Sequence, residues 1–154
     1  MSEFNYKQPF IAVAAIIVKE DKVLMVKEAH GPDVGRWSLP AGKWDHEESL
    51  LDGIKREVLE ETGYKFEPGY LLGVYTIIRT LPNGDKSQVL RPVFVGSISG
   101  EQVELSEDVE ETKWIPINGL DDIDYRSPDI KIMLRDFEDG VKYPLELLKH
   151  HKAL

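Results

Sequence analysis

Three glutamates in one short stretch, Glu57, Glu60 and Glu61, are the residues of this chain whose type and spacing most invite chemistry. They follow Arg56 and lie between Gly42 and Gly63, with Glu48 upstream of them. At about 100° per residue in a helix, Glu57 and Glu61 stack one turn apart and Glu60 lies beside them. Like charges four residues apart on a helix repel. Glu60 and Glu61 also fall in the last turn, where the helix dipole disfavours negative charge. Neither helix propensity nor the dipole accounts for this placement. A hard divalent cation would, because Mg²⁺ takes carboxylate oxygens and usually keeps waters and substrate phosphates in its shell. The other reading is a solvated acidic face with salt bridges such as Arg56 to Glu60.

The surrounding pattern supplies elements that can hold these acids. Leu50, Leu51, Ile54 and Val58 recur at three- and four-residue steps, which predicts an amphipathic helix over residues 49–62, with Gly63 as its left-handed cap. Upstream, residues 10–18 (FIAVAAIIV) read as a buried strand, Asp21 opens a turn, and residues 22–27 (KVLMVK) read as its hairpin partner. Residues 30–35 (HGPDVG) form a loop. Downstream, residues 70–79 and 89–99 read as strands joined through Asn83-Gly84, a strong hairpin signal. Pro92, lacking an N–H, demotes the second of these to an edge strand or a bulge. A polar loop over residues 100–107 precedes a strand over 109–115 and a short helix or turn over 117–123. Ser127-Pro128-Asp129 reads as a helix N-cap with proline in the first turn, and residues 130–138 as an amphipathic helix that ends at Asp139-Gly140. Residues 141–148 dock or trail.

The pattern G-x5-E-x7-R-E-U-x-E-E-x-G-U, with U a bulky aliphatic residue, is the Nudix box, and the chain resembles it over residues 42–64. Gly42, Glu48, Arg56, Glu57, Val58, Glu60, Glu61 and Gly63 match, and Tyr64 stands at the final aliphatic position. The W-x-L-P-[AG]-G lead-in common in that family is present as Trp37, Leu39, Pro40, Ala41 and Gly42. The resemblance implies an α+β Nudix fold of the MutT-like type, an α/β/α sandwich around a mixed β-sheet with the box as loop-helix-loop. It implies hydrolysis of a small nucleotide or related pyrophosphate with Mg²⁺ or Mn²⁺. It gives Glu57, Glu60 and Glu61 to the metals, with a carbonyl of Ala41 or Gly42 beside them, and leaves the general base open among these acids and an acid near Asp108. Asp108 stands six residues before Trp114, where the family often carries an acid. Arg56 is expected to orient Glu57 or Glu60 rather than touch substrate, and Glu48 to support Arg56. The hairpin that borders the site in the family makes Tyr75, Arg79 and Arg91 candidate substrate contacts. Trp37 is read as a core or rim aromatic, with substrate stacking as the alternative. The tail Arg126-Ser127-Pro128 … Gly140 … Tyr143-Pro144-Leu145-Glu146 resembles the NudJ-type group of Nudix phosphatases, which act on nucleoside tri- and diphosphates and a thiamine-pathway pyrimidine pyrophosphate. Arg126 is read as a phosphate contact or a helix-entry ion pair.

Composition limits the alternatives. A chain of 154 residues, 42% hydrophobic and 9% aromatic, is expected to form one domain with a full core. A net charge of −9 argues against a nucleic-acid polymer as partner and makes cations necessary between the protein and an anionic phosphate. Without cysteine, thiolate zinc sites and disulfides are excluded. The N-terminus lacks a signal-like apolar region and no run reaches membrane-span length, so a soluble cytoplasmic protein is expected. His30, His46, His150 and His151 show no metal-ligand spacing and read as surface residues. A homodimer is left open. Two other functions compete. One is hydrolysis of a different nucleoside diphosphate derivative, such as ADP-ribose or a dinucleoside polyphosphate. The other is a non-catalytic Nudix module that senses a nucleotide, against which the intact box acids argue.

Overall fold

The structure is a computed structural model that describes Asn5, residues 7–107 and residues 109–153. Asp108, the candidate further acid, lies outside the described residues. The strands are β1 (Phe10–Lys19), β2 (Lys22–Glu28), β3 (Trp37–Ser38), β4 (Ala41–Lys43), β5 (Lys65–Thr80), β6 (Lys86–Ser99) and β7 (Val109–Pro116). The helices are α1 (Leu50–Thr62) and α2 (Asp129–Glu138), with 3-10 turns at Ile117–Asp122 and Leu145–Leu147. The sheet runs β3-β2-β1-β6-β5, with β4 added to β1 and β7 to β2. It is mixed: β1 lies parallel to β6, and β5 antiparallel to β6.

The apolar run of β1 is continuous because both its faces are covered. Val13, Ala15 and Ile17 point to the α1 side, where they meet Ile54, Val58, Phe66 and Phe94. Ala14 and Ile16 point the other way, toward Met133, Leu134 and Ile130 of α2. This two-sided burial is the α/β/α sandwich. Among the described residues, no helix is long and apolar enough to cross a membrane.

Pro92 departs from the edge-strand expectation. The strand that carries it, β6, is central, between β1 and β5. The β1–β6 register runs through Ile11↔Leu90, passes over Arg91 and Pro92, and resumes at Ala14↔Val93. The β5–β6 ladder shifts register beside it, between Leu71 and Gly73 opposite Phe94 and Val93, in keeping with the bulge expectation. On its opposite edge, β1 pairs Ala12, Val13 and Ala14 with Lys43, Gly42 and Ala41 of β4.

The helix α1 forms where its caps require. Ser49 is extended and its hydroxyl accepts from the Asp52 N–H at 3.0 Å, while Gly63 takes the left-handed conformation (φ 74°) and its N–H returns to the Leu59 carbonyl. Burying Ile54 and Val58 completely anchors the helix to the sheet, at about 1.5–3 kcal/mol per side chain. The loop before β7 closes the far end. Val103 N–H donates to the Gly63 carbonyl, Ser106 N–H to that of Glu60, and Gln102 Nε2 to that of Thr62, each at 2.8 Å. Carbonyls that a helix C-terminus leaves unpaired are thereby satisfied under the acidic turn.

At the other helix, Pro128 already has helical dihedrals and makes no side-chain cap bond, so Ser127 does not cap α2 as its sequence suggests. The tail docks on β5: Tyr143 and Leu71 exchange backbone hydrogen bonds at 2.9 Å in both directions, and Leu145 and Leu148 pack on the α1-side core.

Candidate active site

The acids of α1 face the short strand β4. Three features of the chain bring them there. The helix is held by Ile54 and Val58, β4 pairs antiparallel with β1, and Gly42 has no side chain. A Cβ at Gly42 would overlap the Glu57 carboxylate, so glycine is required here for close approach rather than for an unusual φ. The ladder also orients β4. Ala15 N–H bonds the Pro40 carbonyl and Trp44 N–H the Ile11 carbonyl, so the even-numbered residues of this strand turn their backbone groups to β1. Gly42 is one of them. Ala41 and Lys43 face α1, and both are used there. Ala41 N–H donates to Glu61 Oε2 at 3.0 Å, and Arg56 Nη2 donates to the Lys43 carbonyl at 3.0 Å. Of the two carbonyls proposed from sequence, that of Ala41 is on the acidic side.

Arg56 is the hub. Its Nε and Nη2 grip the two oxygens of Glu48 at 3.1 and 2.9 Å, a two-pronged pairing that fixes the guanidinium plane. Its Nη1 donates to Glu57 Oε1 at 2.8 Å and reaches Glu60 Oε2 at 3.3 Å. The arginine thus orients both acids, and Glu48 orients the arginine. The Glu48 N-terminal contacts extend to the Asp45 N–H at 2.9 Å. The Arg56 guanidinium holds the Glu48 carboxyl below the usual range.

The three box acids occupy unlike environments. Glu57 is 8% exposed, and burial raises its pKa against the pull of Arg56. Glu61 is pushed well above the ordinary carboxylate range, chiefly by desolvation, with Glu57 and Glu28 adding repulsion and the Ala41 N–H and Arg126 opposing it. The Glu60 side chain is 53% exposed. Among the described residues, no three acids are drawn together into a ready ligand shell. Even so, Glu57 and Glu61 each engage one oxygen and leave the other without a hydrogen-bond partner there. One buried and one half-buried carboxylate whose ionised forms are disfavoured, with oxygens to spare and a backbone carbonyl nearby, are a donor set that suits a hard cation.

A second cluster lies beside the acids. Arg126 comes to it because residues 124–126 run alongside β3: Trp37 N–H bonds the Asp124 carbonyl and Arg126 N–H the Trp37 carbonyl. Arg126 Nη1 donates to Glu28 Oε1 at 3.2 Å. Arg91, 9% exposed on β6, points to Asp129 at 4.0 Å, and Arg79 on β5 to Asp33 at 3.9 Å. Tyr75 is differently employed. Its hydroxyl donates to Asp136 Oδ2 at 2.6 Å and ties α2 to β5. Trp37 packs at the margin of the α2-side core, with the Lys27 ammonium over its ring at 5.9 Å.

Glu28, Asp33 and Asp129 were not singled out by sequence. Each stands at the end of an element or in a loop, and the cluster arginines they face are distant along the chain; Asp33 also meets Arg36, three residues on, at 3.5 Å.

A family profile described as the NUDIX domain matches residues 8–137. The chain belongs to the Nudix hydrolase family. Over 147 residues it is 29% identical to phosphatase NudJ of Escherichia coli strain K12, covering 92% of this chain and 91% of that protein. It is 32% identical over 115 residues to an ADP-ribose pyrophosphatase of Methanocaldococcus jannaschii, covering 75% of this chain and 66% of the archaeal protein. A Nudix hydrolase structure from Nitrosomonas europaea superposes with a TM-score of 0.86 at 30% identity, covering 94% of this chain and 98% of that one. These matches agree with the mixed sheet and its two flanking helices.

Proposed function

We propose that this Nudix chain is a metal-dependent pyrophosphohydrolase. It cleaves a phosphoanhydride bond in a nucleoside di- or triphosphate, or a similar small pyrophosphate, by water attack at phosphorus. The observation that carries this reading is the pair of carboxylates against β4, Glu57 buried and oriented by Arg56, Glu61 half-buried and held by the Ala41 N–H. Glu57, Glu60, Glu61 and the Ala41 carbonyl would hold Mg²⁺ or Mn²⁺. When bound, the metal supplies charge neutralisation at phosphoryl oxygens and a more acidic water. Arg56 and Glu48 position these acids without touching substrate. One of the box acids, or Asp108, takes the proton of the attacking water. Phosphoryl transfer depends mainly on such positioning and charge.

The test is a nucleotide panel with Mg²⁺ and with Mn²⁺, products identified, on the wild type and on Glu60→Gln and Glu61→Gln. Turnover in both variants is expected to fall by about three orders of magnitude, the scale of lost electrostatic stabilisation, with unchanged circular dichroism. Near-wild-type turnover in both folded variants would overturn the assignment. Hydrolysis of ADP-ribose is the second reading, favoured by the archaeal pyrophosphatase that shares 32% identity over 115 residues. Silence across the panel with nucleotide binding retained would instead identify a sensing module.

A further inference from the structure

Three arginines from separate parts of the chain lie within electrostatic reach of one another, and two of them within reach of Glu61. Arg79 comes from β5, Arg91 from β6, and Arg126 from the segment beside β3. They are close enough to repel: burial together with Arg126 and Arg79 lowers the Arg91 pKa to about 10. Glu61 is felt by both Arg91 and Arg126, so the cluster adjoins the proposed metal site.

The arginines are balanced but not satisfied. Asp129 stops 4.0 Å from Arg91, and Asp33, which lies closer to Arg36 at 3.5 Å, stops 3.9 Å from Arg79, both beyond hydrogen-bond range of the cluster. Only Arg126 closes on its acid, Glu28, at 3.2 Å. The Nε atoms of Arg91 and Arg126 are buried with no hydrogen-bond partner, as is Asp129 Oδ2. A buried donor left unpaired costs about 1–3 kcal/mol, more when charged. Arg91 is more than nine-tenths buried, so solvent does not relieve it. An arginine present only for structure would close its ion pair, as Arg56 does on Glu48 at 2.9 Å in this same molecule.

We infer that Arg79, Arg91 and Arg126 form an anion subsite that receives the unesterified terminal phosphate of the substrate. This deepens the hydrolase reading and rests on it. A terminal phosphate carries nearly two charges and three free acceptor oxygens. A phosphate esterified on both sides carries one charge and two free oxygens, and its further substituent would have to lie among guanidinium groups. The subsite therefore selects a nucleoside di- or triphosphate over a diphosphate blocked at both ends.

The experiment compares ADP with ADP-ribose on the wild type and on Arg79→Gln, the most exposed of the three, with Mg²⁺ present. In the wild type, kcat/KM for ADP is expected to exceed that for ADP-ribose by about tenfold or more, and Arg79→Gln to remove most of that ratio by slowing ADP alone; tenfold corresponds to about 1.4 kcal/mol. A wild type that prefers ADP-ribose, or a variant slowed equally on both, overturns the subsite. Inorganic pyrophosphate without metal gives an independent reading. It should raise the melting temperature of the wild type and of Glu61→Gln, and raise that of Arg79→Gln much less. Equal protection of Arg79→Gln also overturns it. Full turnover by Glu61→Gln would strike the hydrolase reading, while the pyrophosphate measurement would still decide the subsite.

Discussion

Two arginine centres stand side by side in this molecule and are built to opposite specifications. Around Arg56 every guanidinium nitrogen finds an acceptor: Glu48, Glu57, Glu60 and the Lys43 carbonyl. Around Arg91 the nearest acid is held at 4.0 Å, and the buried Nε has no partner. The first centre is complete as the chain folds. The second is complete only when an anion with several free oxygens arrives. Saturation marks a residue that positions others, and a buried deficit marks one that binds.

Replacing the two hubs by an apolar side chain should separate these roles. Arg56→Met leaves Glu48 and Glu57 without their cation. Urea unfolding should show a loss of about 2–3 kcal/mol, since removing one partner of a half-buried network strands the other, and turnover should collapse with it. Arg91→Met combined with Asp129→Asn, by contrast, removes a poorly closed buried pair as a whole. Its stability is expected to stay level or rise by about 1 kcal/mol, while KM for the nucleotide climbs. A large destabilisation of this double variant in the same urea series would put the two centres in one class.

Gly42→Ala tests the acid side without touching a charge. The added methyl displaces the Glu57 carboxylate, the movable end of a flexible side chain. Turnover should fall by about a hundredfold, as expected for an ångström-scale misplacement, with little change in melting temperature. Retained activity would mean that the Glu57 position is not critical.

The smallest effect is the pH dependence carried by Glu48. Its folded pKa is depressed by Arg56, so it stabilises the fold above the unfolded carboxylate pKa of about 4.3 and loses that contribution as pH falls through the folded value. The difference in urea stability between pH 7 and pH 3 should be about 1 kcal/mol smaller in Glu48→Gln than in the wild type. Identical pH profiles would show that Glu48 contributes nothing through its charge.

What sequence revealed follows the range of the interactions involved. The helix α1 was legible because its cap, Gly63, and its stripe, Ile54 and Val58, act within a few residues, while Ser49, read as its first residue, is the N-cap. The acids were legible through their fixed spacing on that helix. Pro92 pointed to an edge strand because its missing N–H is a local fact, whereas β6 is central, leaves Arg91 and Pro92 out of the β1 ladder, and meets a register shift of β5 close by. Tyr75 pairs with Arg91 across the strands and gives its hydroxyl to Asp136, a partner no local pattern announces. Arg126 reaches the site only because residues 124–126 lie along Trp37. No local pattern encodes that pairing, nor the acids Glu28, Asp33 and Asp129 that surround the arginines.

The loop that meets the end of α1 has a consequence for how this protein can vary. Val103 and Ser106 serve the acidic turn through backbone N–H groups, which every residue except proline possesses. The exposed Val103 side chain is therefore open to drift. The spacing of the two donors is not, because one residue inserted between 103 and 106 would pull a donor off the carbonyl of Glu60. The segment should tolerate substitution at Val103 and resist changes of length, the reverse of an ordinary surface loop.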